Sequence, residues 1–241
     1  MASNGNALNI ALPGLSDELK QGLSSNYDGP PKNLPYIKEI RGSSPDVCPM
    51  CGSLQTSTLD HLLPQESYAE FAIYSRNLVP ACDCNSKRGT ALMDLTTSSR
   101  VLHPYFDDCL QDRLISCEIL PAPGFPLVDI KPRYVDPTHQ LADSIEFHVE
   151  KIVLRSGLLV WLSSQWDSAR IRPINKIHTL PRKVVGSSNA MRLCLEDALT
   201  RYDQNYASPN NWESIFIHGL LGSPDAMEWL RLRHNVDILN T

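Results

Sequence analysis

The chain lacks any long hydrophobic run. A membrane-spanning helix needs about 20 consecutive apolar residues, and the strongest apolar stretch, Leu158–Leu162, is far shorter. The opening segment MASNGNALNIALPGLSDELK has no basic region followed by an apolar core, so a secretion signal is not expected. These absences lead us to expect a soluble, cytoplasmic protein with no membrane partner. Internal repeats and low-complexity tracts are also missing, which excludes solenoid and tandem-array architectures. Positive charge is scarce: 22 Lys and Arg stand against 27 Asp and Glu, a net charge of −5. That argues against a protein that coats nucleic acid nonspecifically, while leaving room for a local basic surface. Seven cysteines is an odd number for a disulfide framework. In a reducing compartment, thiols at short spacing are metal ligands more often than bridges.

What is present divides along the chain. Its 241 residues, 42% of them hydrophobic, suffice for one large packed domain or two small ones. Residues 1–45 are rich in Gly, Pro, Ser and Asn, and we expect a short helix near Ser16–Leu23 followed by an extended arm. Cysteines, Asn and an Asp-His pair concentrate from Val47 to about Asp94, and we draw a domain over 46–106. Residues 107–241 should form a mostly helical α+β region. RLISCEIL and PLVDI read as strands. Leu141–Gln165 has helical apolar spacing, with Gly157 splitting it in two. A helix entered by Ser187 or Ser188 follows, then a final helical pair whose second member starts at Ser223-Pro224.

Cys48-Pro-Met-Cys51-Gly52 is a knuckle sequence: two thiolates two residues apart can grip one metal from a tight turn, and Gly52 lets the backbone curl beneath it. Cys82-Asp-Cys84 supplies a second pair, and four thiolates complete a tetrahedral structural Zn²⁺ site. Cys109, Cys117 and Cys194 stand alone and read as ordinary packed residues. Between the pairs we expect a strand over Ser57–His61, a loop over Leu62–Ser75, a strand over Arg76–Val79, and a helix starting near Cys84 or Asn85. Pro64 ends the first strand soon after Asp60 and His61.

Taken in order, C-P-M-C-G, L-D-H-L-L-P, R-N-L-V-P-A-C and D-C-N-S-K-R-G resemble the HNH endonucleases, the ββα-metal nucleases with a zinc-stapled core, over about residues 47–90. The resemblance implies that His61 is the general base, since an imidazole near neutral pKa can take a proton from water. It implies that Asp60 holds a catalytic Mg²⁺ or Mn²⁺, hard cations suited to a carboxylate. Asn77 would brace the loop and orient His61. Asn85, standing where many members carry a final His, would be the second metal ligand through its amide oxygen. Lys87 and Arg88 would hold DNA phosphates. The chain departs from the family in spacing its second cysteine pair by one residue rather than two. His103 is an alternative final ligand.

The expected function is therefore metal-dependent hydrolysis of DNA phosphodiester bonds, in a setting such as restriction or phage defence. A single such site cuts one strand, so double-strand cleavage calls for a homodimer or a second encounter. By analogy with nuclease subunits of defence systems, an ATPase subunit is a candidate partner. Basic residues gather between Lys151 and Arg192, where Asp167 is the one acidic residue. The rival reading is a non-catalytic zinc module that binds DNA or protein; another keeps catalysis and takes RNA as substrate.

Overall fold

A computed structural model describes residues 14–122 and 125–240. The first thirteen residues of the expected arm lie outside these. The fold is α+β, with two two-stranded antiparallel sheets among the described residues. The chain forms two compact units. Unit 1 comprises Met1–Leu110 and Thr138–Ser156, and unit 2 comprises Gln111–Pro137 and Gly157–Thr241. No helix among the described residues is long and apolar enough to cross a membrane.

Unit 1 begins with two helices where a single helix and an extended arm were expected. Helix α1, Asp17–Asp28, is capped by Ser16, whose hydroxyl accepts the Leu19 N–H at 3.3 Å, and Asp17 and Glu18 complement its dipole. Helix α2, Pro35–Gly42, starts on a proline. The prolines that read as breakers are compatible with this arrangement, because a first-turn proline gives up an N–H that no helical carbonyl needs.

Strands β1 (Thr58–His61) and β2 (Leu78–Ala81) pair with Asp60 opposite Val79 and His61 opposite Leu78. β2 starts two residues later than expected, because Ser75–Asn77 form a 3₁₀ turn. There the Asn77 amide bonds backbone groups of the preceding loop, an alternative to ladder pairing that asparagine favours. The Leu62 N–H donates to the Asn77 carbonyl at 2.9 Å. Counting back by twos places Leu59 opposite Pro80 at a position without ladder bonds, so the missing proline N–H costs nothing there. Ile37 from α2 packs with Leu59 and Leu78, and Tyr27, Leu34, Tyr36, Ile40 and Ile73 close around them. Helix α3, Cys84–Arg88, follows β2 and ends at Gly89 with φ +62°.

The returning segment contributes α4, Ala142–His148, extended by a π turn over Val149–Val153. His148 is buried. Its Nε2–H donates to the Met50 carbonyl at 2.7 Å, inside the Cys48–Cys51 turn, and its Nδ1 accepts the Leu102 N–H at 3.2 Å. Nearby, Arg100 and Asp107 form a two-pronged ion pair with both contacts at 2.6 Å.

Unit 2 is built on the hairpin of β3 (Ile115–Pro121) and β4 (Val128–Tyr134), both near their expected places. Gly157, at φ +98°, begins α5, Leu158–Ala169. Helix α6, Ser188–Asn205, is capped by Ser187. Helix α7, Trp212–Leu221, is buried on nearly all sides, and α8, Pro224–Leu239, completes the pair. α7 lies directly on β3 at Gly219. A Cβ there would sit 2.1 Å from the Cys117 sulfur and 2.8 Å from the Cys117 carbonyl oxygen.

Two stability predictions follow from these contacts. Gly219→Ala gains helix propensity but forces α7 off β3, and should cost about 1–3 kcal/mol net. All four tryptophans lie in unit 2, so their fluorescence during urea unfolding measures this. Adding Cys117→Ala should restore only part of the loss, because the backbone clash stays.

Burial pushes the His148 pKa down to about 4. In the unfolded chain it returns to roughly 6.5. Between these values the unfolded state binds a proton that the native state refuses, so stability falls as pH drops through this window, by on the order of 3 kcal/mol. Unfolding of wild type and His148→Gln, followed by circular dichroism from pH 7 to 4, should show the stability gap between them closing as pH falls.

Candidate functional site

Cys48, Cys51, Cys82 and Cys84 bring their sulfurs within 4.8 Å of one another, and all four are buried. Cys48 and Cys84 are 3.7 Å apart, and Cys51 and Cys82 are 3.4 Å apart. These are far too long for disulfides. A tetrahedron with metal–sulfur bonds of about 2.3 Å has edges of about 3.8 Å, so the cluster is the right size for one thiolate-bound ion. The first turn is closed by the Cys48 N–H on Ser53 O at 2.8 Å and the Gly52 N–H on Cys48 O at 2.9 Å. Gly52 holds φ +75°, which residues with a Cβ rarely adopt. The Cys82 N–H points at the Cys48 sulfur at 3.4 Å, and the Cys84 N–H at the Cys82 sulfur at 3.3 Å. Such N–H groups stabilise thiolate charge.

The thiols compete for ionisation. Hydrogen bonding with Cys48, above all, holds Cys82 well below the usual thiol range. The same partner pushes Cys51 and Cys84 far above it. A bound divalent cation resolves that conflict by letting every thiol deprotonate. The one-residue spacing of Cys82 and Cys84 is accommodated because Cys84 is already the first residue of α3.

The end of β1 adjoins this cluster through α3. The His61 ring is buried, and its Nε2 lies 2.8 Å from the Ala72 carbonyl. A carbonyl can only accept, so Nε2 carries the proton and Nδ1 is left with a free lone pair. Burial lowers the His61 pKa, against the smaller opposing effects of the Ala72 carbonyl and Asp60, which favours the uncharged ring. The Asp60 carboxylate turns back onto the His61 N–H, with Oδ1 at 2.9 Å. Asn77 staples the intervening loop: its Oδ1 accepts the Leu63 N–H at 2.7 Å, and its Nδ2 donates to the Leu63 and Phe71 carbonyls. Phe71 immediately precedes Ala72, so this amide braces the segment that holds the imidazole.

Asn85 and Arg88 meet the other side of the strand end. The Asn85 Nδ2 donates to the His61 carbonyl at 3.0 Å, and its Oδ1 accepts the Arg88 Nε–H at 2.7 Å. Serving a cation requires that oxygen to share or exchange its Arg88 contact. Arg88 differs from expectation. It is only 3% exposed, and its remaining donors reach the His61, Leu62 and Ala91 carbonyls. These contacts organise the chain as it leaves β1, where a solvent-facing phosphate contact was expected. Lys87 stays exposed and pairs with Asp83 at 2.8 Å. Both ring nitrogens of His103 are engaged, Nε2 with the Arg76 carbonyl and Nδ1 with the Tyr105 N–H.

Two contributors went unnoticed in the sequence. Tyr27 lays its ring against His61, with centroids 4.3 Å apart. His148 ties the returning segment to the Met50 carbonyl. Neither belongs to a local motif. The basic run divides between the units: Lys151 and Arg155 belong to unit 1, and Arg170 through Arg192 to unit 2. Some of these cations already have partners, such as Arg170 with Asp167 at 2.9 Å.

Compared with protein-family models, curated proteins and solved structures, the chain yields no match in any of the three.

The inward-facing guanidinium generates a clear expectation. Arg88→Met should lower stability by roughly 2–4 kcal/mol, because it strips donors from buried carbonyls. Lys87→Ala should leave the unfolding midpoint close to wild type. Urea titration of the two variants followed by circular dichroism separates these roles.

Proposed function

We propose that unit 1 is a zinc-stapled nuclease centre of the HNH, or ββα-metal, kind that hydrolyses DNA phosphodiester bonds. The observation that carries this reading is the His61 imidazole: buried, with Nε2 on the Ala72 carbonyl so that Nδ1 is left to accept a proton, and adjacent in sequence to a carboxylate. Zn²⁺ is the ion that four buried thiolates at this spacing suit best.

His61 acts as general base, taking a proton from water at Nδ1 as that water attacks phosphorus. The bond to the 3′ oxygen breaks and that oxygen takes a proton from bulk water, leaving 5′-phosphate and 3′-hydroxyl ends. Asp60 and Asn85 offer a carboxylate and an amide oxygen, both hard donors, to Mg²⁺ or Mn²⁺. When bound, that ion supplies charge stabilisation at the phosphate and the departing oxygen. Asn77 acts at one remove by bracing the loop. Lys87, exposed at the end of α3, is free to turn from Asp83 toward a backbone phosphate.

The rival non-catalytic zinc module gains support from the number of polar side chains here that serve backbone groups. Nicking of supercoiled plasmid by zinc-loaded protein, with Mg²⁺ or Mn²⁺ added, decides between them. We expect His61→Ala to lose at least about 100-fold in rate while keeping its zinc and its fold. Equal rates for the two proteins contradict the proposal. Parallel digestion of single-stranded RNA and duplex DNA identifies the substrate. The assay is run with and without a candidate ATPase partner, and at several protein concentrations to reveal any dependence on a second copy.

A further inference from the structure

We infer that the N-terminal helical pair supplies positioning residues for the His61 imidazole, Tyr27 foremost and Tyr36 in support; this rests on the nuclease reading of the site.

Tyr27 sits in the last turn of α1. Its ring lies against His61, with centroids 4.3 Å apart and planes inclined at 56°. Its hydroxyl donates to the Leu59 carbonyl, on the same strand as His61. Leu59 faces Pro80 at a position without ladder bonds, so its carbonyl points away from β2 and needs a donor from elsewhere. Tyr27 therefore holds the strand by its hydroxyl and the imidazole by its ring. Arg41 of α2 in turn holds Tyr27: its guanidinium lies 5.3 Å from the ring centre, and its Nη2 donates to the Tyr27 carbonyl at 3.3 Å.

Tyr36 bears on the segment that accepts the imidazole proton. Its hydroxyl donates to the Ile73 carbonyl, one residue beyond Ala72, whose carbonyl takes the His61 Nε2–H. One tyrosine thus bears on the ring and its strand, and the other on the segment that accepts the ring's proton. Together they restrict rotation of the imidazole and fix the direction of its Nδ1 lone pair. Residues 27–41, which read as an arm in the sequence, are by this argument part of the working centre.

The test uses the full-length, zinc-loaded chain with ¹⁵N-labelled histidine, comparing wild type, Tyr27→Phe and Tyr27→Leu. His61→Ala assigns the His61 ring signals. Two quantities are read: kcat and KM for plasmid nicking, and the ring nitrogen shifts of His61. We expect Tyr27→Leu to lower kcat about 10- to 100-fold. KM should stay within about twofold, since the residue does not touch substrate. The His61 ring nitrogens should move from a single Nε2–H tautomer toward a mixture. Tyr27→Phe keeps the ring contact and should recover most of kcat and the native shifts. Unchanged kcat and unchanged His61 shifts in folded Tyr27→Leu overturn the inference. If wild type cleaves nothing, the nuclease reading fails, while the shifts still decide whether Tyr27 orients the ring. If Tyr27→Leu loses zinc or fold, Tyr36→Phe carries the same two readouts, and no change in either then overturns the inference.

Discussion

Four sulfurs crowded into one buried site cannot all ionise unless a cation joins them. The rest of unit 1 is arranged around that constraint. The first pair sits in a turn closed by its own N–H groups. The second pair follows β2 and starts α3. Joining them brings the two ends of the Cys48–Cys84 segment together and offsets the chain entropy of its long inner loop. Everything proposed for Asp60, His61, Asn77 and Asn85 requires this closure, because the first three lie inside it and Asn85 follows Cys84 directly.

Within the closure, side chains hold the backbone that in turn holds the imidazole. Asn77 fixes the loop through Leu63 and Phe71, Ala72 takes the imidazole proton, and Arg88 and Asn85 converge on the His61 carbonyl. Burying a guanidinium is costly unless its donors are satisfied, and Arg88 places donors on four acceptors. The site is therefore rigid at its backbone, while the lone pair proposed to do chemistry is the His61 nitrogen that no carbonyl occupies. His148 adds a further tie, from a segment that returns to unit 1 only after the chain has built the unit 2 hairpin.

Much of this was legible in the chain. The thiol pairs announced themselves by spacing alone, and the caps at Ser16 and Ser187 and the start at Ser223-Pro224 followed local chemistry. Gly157 did separate two helical stretches. The misreadings share a physical origin. α2 was missed because a proline at a first turn looks like a breaker. β2 was placed early because Ser75–Asn77 close a 3₁₀ turn in which the Asn77 N–H bonds the Tyr74 carbonyl, a turn that the apolar pattern does not announce. Arg88 was assigned to DNA phosphates because a cation on a short helix beside the motif usually faces outward, and only tertiary carbonyls reveal otherwise. Tyr27 carries no signal at all, since its partners Leu59 and His61 lie far along the chain and obey no local period.

The most direct measurement is zinc K-edge X-ray absorption on the purified, zinc-reconstituted chain, joined to metal analysis. One zinc ion per chain with four sulfur neighbours at about 2.3 Å is the predicted result. A folded protein that retains no zinc, or whose zinc is held by nitrogen or oxygen in place of sulfur, would contradict the account.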